Sequence, residues 1–277
     1  SRDDLEAFLL LGDTLYADGS KNRMDFSDVW KRALGRYPQR RLRASTSLIP
    51  TWDDHEVTNN FDSKDGLVPV GRDEYFAFQP IGRPVDDPNR VWRSVRWGKT
   101  VEFFVLDCRG ERDVASGRYV SEAQLAWLEN GLASSTATFK VILNSVPISE
   151  FPGPLFGLGK DDRWEGFPTQ RTALLQFIDD RKIPGVLWIS GDFHLASAGR
   201  VSRSGPGQKA IEALVGPAGQ QPNVSPTYPG KPQFDFATGV NNYTIVDLDP
   251  STRVATLRYV SGTGKILSEL SYDLNAK

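Results

Sequence analysis

Sulfur and imidazole are scarce in this chain. Its 277 residues include one cysteine, Cys108, one methionine, and two histidines, His55 and His194. A lone cysteine cannot close an intramolecular disulfide, and the Cys/His clusters of a structural zinc site are absent as well. No apolar run approaches the roughly 18 residues of a membrane-spanning helix, and no signal peptide precedes Ser1. Neither sign of charge is in excess. The 33 Lys and Arg against 35 Asp and Glu leave a formal net charge of -2, so no global field pulls the chain toward nucleic acid or anionic lipid. The basic run Arg36, Arg40, Arg41 and Arg43 reads as a solvated surface, with a polyanionic partner as the rival reading.

Several reaction signatures are missing too. There is no Gly-x-Ser-x-Gly elbow. The stretch Gly153 to Lys160 lacks the glycine a phosphate loop needs at Leu158 and a Ser or Thr after Lys160, and Gly262-Thr263-Gly264-Lys265 runs on into Ile266. Cys108 follows a strand-like run and reads as a half-buried packing residue rather than a nucleophile.

What is present is an alternation of two periodicities. Apolar residues make up 39% of the chain, enough for a substantial core. Short apolar runs bounded by Gly, Asp, Asn or Pro predict strands over 7–11, 46–52, 101–106, 140–146 and 185–189. Amphipathic stretches predict helices over 27–36, 121–132 and 169–180, the second opened by a capping-box pattern of Ser121 and Gln124. This order predicts an α/β sheet covered by helices. Gly and Pro crowd 205–232, which reads as a long loop, and 243–247 with 254–260 reads as a C-terminal β-hairpin. One domain over 1–277 is the simplest organisation.

Three strand-like runs end in polar clusters: Gly12-Asp13-Thr14-Leu15-Tyr16-Ala17-Asp18, Trp52-Asp53-Asp54-His55-Glu56, and Ser190-Gly191-Asp192-Phe193-His194. Each has a plain reading as a turn, a helix start or a loop-holding pair. Together they contain both histidines, each beside carboxylates, at the strand ends where open α/β sheets place ligands. That convergence predicts a shared metal or catalytic site. Asp13, Tyr16, Asp54 and Asp192 offer oxygen and His194 offers nitrogen, a donor set suited to calcium, magnesium, manganese or ferric iron. Tyr16, three residues after Asp13, faces the same side if the intervening turn is helical, and a phenolate ligand suits ferric iron in particular.

These three clusters resemble the signature blocks of the PhoD-like (alkaline phosphatase D type) metallophosphatases. Lesser blocks agree in the same order: Leu106-Asp107-x-Arg109-x-x-Arg112, Gln124-x-x-Trp127-Leu128-Glu129, and Trp164-Glu165-Gly166-Phe167-Pro168 with Arg171. The resemblance implies a four-layer sandwich of two mixed β-sheets flanked by helices. It implies a phosphomonoesterase or phosphodiesterase working by attack of a metal-bound hydroxide on a phosphate ester. It assigns Asp13 as the carboxylate bridging two metals. Tyr16 and His194 would hold the first, ferric iron, and Asp54, Asp192 and Asn144 the second, calcium, with manganese, magnesium or zinc as substitutes. It gives His55 the transition state or the leaving group. Arg109 is read either as a clamp on a phosphoryl oxygen or as a salt-bridge partner of Asp107 or Glu111. It also implies a strand and a further first-metal ligand ahead of the Gly12-Asp13 block, and the sequence is read as lacking both. Calcium and the family together imply an extracytoplasmic location, periplasmic or secreted. Rival functions are a non-catalytic metal-binding module and a metal-dependent carboxylester or lactone hydrolase.

Overall fold

The computed structural model describes residues 5–151, 160–223 and 233–275. Most of Gly153–Lys160 and the 224–232 part of the Gly- and Pro-rich segment lie outside these residues. Strand β1 (Ala7–Leu11) pairs in parallel with β2 (Ser47–Thr51), with Leu11 opposite Thr51. Between them run α1 (Arg23–Gly35) and α2 (Tyr37–Ser45). A seven-stranded mixed sheet has the order β3-β4-β5-β6-β8-β7-β9. Its strands are β3 (Arg93–Trp97), β4 (Val101–Val105), β5 (Phe139–Asn144), β6 (Val186–Ser190), β7 (Ala196–Arg200), β8 (Ile211–Leu214) and β9 (Phe234–Thr238). Helices α3 (Val68–Phe78), α4 (Glu122–Ser134) and α5 (Pro168–Asp180) flank the sheets. Strands β10 (Asn242–Asp249), β11 (Val254–Ser261) and β12 (Ile266–Asp273) close the chain as an antiparallel sheet.

The two-residue period of the central strands builds the layers. Val101, Phe103 and Val105 of β4, Phe139, Val141 and Leu143 of β5, and Leu187 and Ile189 of β6 share one core with Leu11, Ile49 and the C-terminal sheet. The alternate residues Phe104, Ile142 and Trp188 turn the other way and pack with Leu128, Leu132, Leu174 and Leu175 of α4 and α5. A third core, with Phe26, Trp30, Trp52 and Tyr75, joins α1 and α3 to the loop after β2. The result is the expected four-layer order, helices outside and sheets within.

Several expectations need correction. The C-terminal hairpin is three-stranded, because β12 adds beyond the turn at Gly264. The 205–232 loop contains β8, and β3, β7, β9 and α3 are additional. Helix α3 carries Pro69 and Gly71 in its first turns, and the short β7 reads Ala-Ser-Ala-Gly-Arg, so neither shows a local pattern that tertiary packing had to override. The capping box at α4 is half formed. Ser121 Oγ accepts from Gln124 N–H at 3.1 Å, but the Gln124 side chain is buried and turns to the loop after β4, accepting from Asp107 N–H at 2.8 Å. Cys108 is fully buried, not half-buried. The arginine run lies on α1's end and α2 with Arg36, Arg40 and Arg41 exposed. Among the described residues no helix is long and apolar enough to cross a membrane.

Gly131 of α4 sits over Phe104, and an added Cβ would lie 2.5 Å from the Phe104 ring. Helix propensity alone favours Ala there by about 1 kcal/mol. The ring is 1% exposed and has no room to retreat, so overpacking by about 1–3 kcal/mol should win. We expect Gly131→Ala to lower the urea midpoint, measured at equilibrium; a raised midpoint would mean that propensity outweighs the contact.

Candidate metal centre

The parallel strands β1, β2, β4, β5 and β6 end on the same side, and the loops leaving them carry the polar clusters. Gly12 leaves β1 with φ 96°, and a Cβ there would lie 2.3 Å from Asp53 Cβ, so the loops after β1 and β2 touch only because residue 12 is glycine. Asp13, Asp192 and His194 all have left-handed backbones, with φ of 51°, 68° and 49°. Each costs of order 1 kcal/mol or more. That three candidate ligands share this strained geometry marks the loops as shaped by the site.

The candidate donors meet in two groups. The Tyr16 hydroxyl donates to Asp13 Oδ2 at 3.3 Å and lies 3.4 Å from His194 Nε2. His194 Nδ1 faces the Gln221 carbonyl at 3.0 Å. A carbonyl only accepts, so Nδ1 carries the proton and Nε2, toward Tyr16, keeps its lone pair. Among the described residues, donor atoms of Asp13, Asp54 and His55 all lie within 4.8 Å of one another, as do those of Asp53, Asp54 and Asp192. Asp13 Oδ1 is buried without a hydrogen-bond partner there. Asp54 is positioned by two backbone donors, His55 N–H at 2.8 Å and Asn60 N–H at 2.7 Å. An oxygen-rich donor set with an orphaned buried carboxylate oxygen fits a hard cation.

Two expected residues are placed differently. Arg109 is fully buried, and its guanidinium is taken by Asp53 (2.6 and 3.0 Å), Asp192 (3.3 Å) and Asp162. Its expected partners are otherwise engaged: Asp107 accepts from Trp52 Nε1 and from the backbone N–H groups of Arg109 and Gly110, and Glu111 accepts from Trp92, Ser121 and Gln124. Asn144 stands at the end of β5, but its Oδ1 accepts from Trp164 Nε1 at 3.1 Å and Cys108 Sγ at 2.9 Å, while Nδ2 is buried without a partner. In this arrangement its oxygen is not offered to an ion.

The structure also gives work to residues whose roles are not visible in the sequence. Asp18 Oδ2 lies 2.6 Å from His55 Nδ1, and the His55 ring stacks on Tyr16 with centroids 3.9 Å apart. Glu56, fully buried, accepts backbone N–H bonds from Asp13, Thr14 and Asp53. Asp162 bridges Arg109 and Arg112. Only a fold could reveal these pairs, since 37, 42 and 53 residues separate the partners His55–Asp18, Glu56–Thr14 and Arg109–Asp162.

This arrangement of sheets around a strand-end metal site is a metallophosphatase fold. Over 99% of this chain and 66% of the other, it superposes on a solved structure of PhoD with a TM-score of 0.82 at 19% identity. A purple acid phosphatase from yellow lupin (Lupinus luteus) seeds matches with a TM-score of 0.70 at 16% identity, over 97% of this chain and 46% of its own. The chain belongs to the PhoD-like phosphatase family, whose model matches residues 1–242. It is 26% identical to alkaline phosphatase D of Bacillus subtilis (strain 168) over 195 residues, which is 57% of this chain and 33% of that protein. The chain thus spans about a third of the length of this curated relative.

The electrostatics of the site set a pH dependence. Burial, then the charges of Asp53, Glu56, Asp54 and Asp192, push the Asp13 carboxyl up to about 10. Burial raises Asp192 as well, and pushes Glu56 up to about 7. Burial and then Asp13 raise the Tyr16 phenol, so its ionisation calls for a nearby cation. In the unfolded chain such carboxyls titrate near about 4, so the folded chain binds more protons above that value. Without cations, stability should therefore be greatest below about pH 4 as far as these groups are concerned, and should decline as pH rises through about 7 and toward about 10. We expect the melting temperature of the chelated protein to fall between about pH 5 and about pH 8 by calorimetry, and saturating divalent cation to reverse the fall. A chelated protein that gains stability over this range would contradict the crowding of the cluster.

Proposed function

We propose that the chain hydrolyses phosphate esters at a centre of two metal ions. The observation that carries this reading is the meeting of Asp13, Tyr16, Asp54, Asp192 and His194 at the strand ends, with one Asp13 oxygen buried and unpartnered. Asp13, which accepts from Tyr16 and has a donor atom within 4.8 Å of one on Asp54, would bridge. Tyr16 and His194 would complete the first site, for which a phenolate favours ferric iron. Asp54 and Asp192 would form the second, a carboxylate site suited to calcium, with manganese, magnesium or zinc as substitutes. Asn144 joins the second only by exchanging Trp164 and Cys108 for the ion. Bound cations would supply charge to the phosphoryl oxygens and acidify an attacking water.

The protein groups do the rest. Asp18 accepts from His55 Nδ1–H, which leaves Nε2 as the working nitrogen, and the Tyr16 ring fixes the plane of the imidazole. His55 would give a proton to the departing alkoxide. Arg109 would act on the substrate only indirectly, by holding Asp53 and Asp192 at close quarters. The same reading places the protein outside the cytoplasm, where calcium is plentiful enough for a carboxylate site of modest affinity.

Elemental analysis, combined with hydrolysis of bis-p-nitrophenyl phosphate before and after chelation, tests the proposal. Bound metal with activity lost on chelation supports it. Hydrolysis of carboxylate esters but not of phosphate esters would sink it. We expect His55→Ala to lower kcat by about 10²–10⁴ with metal content retained. Asp18→Asn should cost less, and its effect on kcat should grow as the leaving group becomes more basic, from p-nitrophenyl to alkyl esters. An effect independent of the leaving group would remove the proton-donor role.

A further inference from the structure

Glu56 is 0% exposed, and its hydrogen-bond partners among the described residues are three backbone N–H groups, none of them a cation. A carboxylate in such a place is costly, and the acids around it make it costlier, since Asp53 adds repulsion. A glutamine or an apolar side chain would suit the fold better if filling space were the task. What a carboxylate offers is acceptor capacity on both oxygens. Glu56 Oε1 takes Thr14 N–H at 2.6 Å, and Oε2 takes Asp13 N–H at 3.1 Å and Asp53 N–H at 2.8 Å. The three donors belong to two different loops, those leaving β1 and β2. Each loop carries a ligand of the proposed centre.

We infer that Glu56 is the positioning residue of the metal centre, pinning the loop of Asp13 to the loop of Asp53 and Asp54 so that the bridging carboxylate reaches both ions. The inference rests on the two-metal reading above. Its geometry accounts for three other features at once. Asp13 keeps a left-handed backbone because its N–H is held from behind. Gly12 is required because the two loops touch. Asp13 Oδ1 is left without a partner because the clamp engages the backbone and spares the side chain. Outer groups that orient ligands in this way typically change metal affinity 10–100-fold.

The test uses the full chain, stripped with chelator and titrated with Mn²⁺, with free and bound ion read by electron paramagnetic resonance. Glu56→Gln keeps the shape but replaces one acceptor by a donor, so either Thr14 or the Asp13 and Asp53 pair loses its partner. We expect Mn²⁺ affinity to fall 10–100-fold, and at matched occupancy the exchange-coupled signal of a bridged ion pair to give way to that of isolated ions. Wild-type affinity and an unchanged coupled signal in this variant overturn the inference, even if its melting temperature is lower, because that pattern belongs to a purely structural residue. If Glu56→Gln does not fold, amide exchange in the wild-type chain decides. Slow exchange at Asp13 and Thr14 in the chelated protein supports the clamp, and fast exchange there, slowed only by Mn²⁺, overturns it. A wild-type chain that takes up no Mn²⁺ sinks the clamp together with the two-metal reading, whereas normal uptake with an indifferent Glu56→Gln sinks the clamp alone.

Discussion

Mutual repulsion among carboxylates is the constraint to which the strand-end region answers. Asp13, Asp53, Asp54, Glu56 and Asp192 crowd one small volume, and burial deprives most of them of water. Negative charge in such a volume must be met by cations or by hydrogen-bond donors. The chain meets it in two ways. Arg109 provides one fixed buried charge for Asp53, Asp162 and Asp192. Backbone N–H groups serve Glu56 and Asp54. One oxygen of Asp13 has neither, an imbalance that a hard cation would relieve.

The sheet makes this crowding possible. Parallel strands bring their carboxyl ends to one edge, and loops leaving that edge converge without long excursions. The cores below are apolar and close-packed, built from the alternate faces of β4, β5 and β6, so they can bear the strain of three left-handed candidate ligands. The helices contribute at a distance. Gln124 of α4 holds the loop of Asp107 instead of finishing its own cap, and Asp107 in turn accepts from Trp52 beside the Asp53–Asp54 pair. The outer layer thus reaches the site through two buried side chains.

The fold is legible in the sequence where local physics decides the outcome. Strands β1, β2, β4, β5 and β6 are short, mainly apolar runs closed by turn residues, the pattern of buried parallel strands. Helices α4 and α5 bury residues at helical spacing, Leu128 and Leu132 in one and Leu174, Leu175 and Ile178 in the other, and their starts are marked by Ser121 and Pro168. Elements whose patterns are ambiguous escaped: α3 with its early proline and glycine, the small-residue strand β7, and β12, whose exposed alternate face carries Glu269, Ser271 and Asp273. Their structures come from contacts with residues far along the chain.

The same division holds at the metal centre. Composition and order alone determined that the two histidines sit beside carboxylates at strand ends, and that the donors are mostly oxygen. These are one-dimensional facts, because a strand, the turn after it and the ligands in that turn are neighbours in sequence. Only the tertiary structure decided which carboxylates are free. Asp53 is neutralised by Arg109, Asp18 orients His55, and Glu56 ties two loops together. Each is an interaction across the gap between separate strands, and charge pairing of that kind depends on distance in space, which no spacing along the chain encodes.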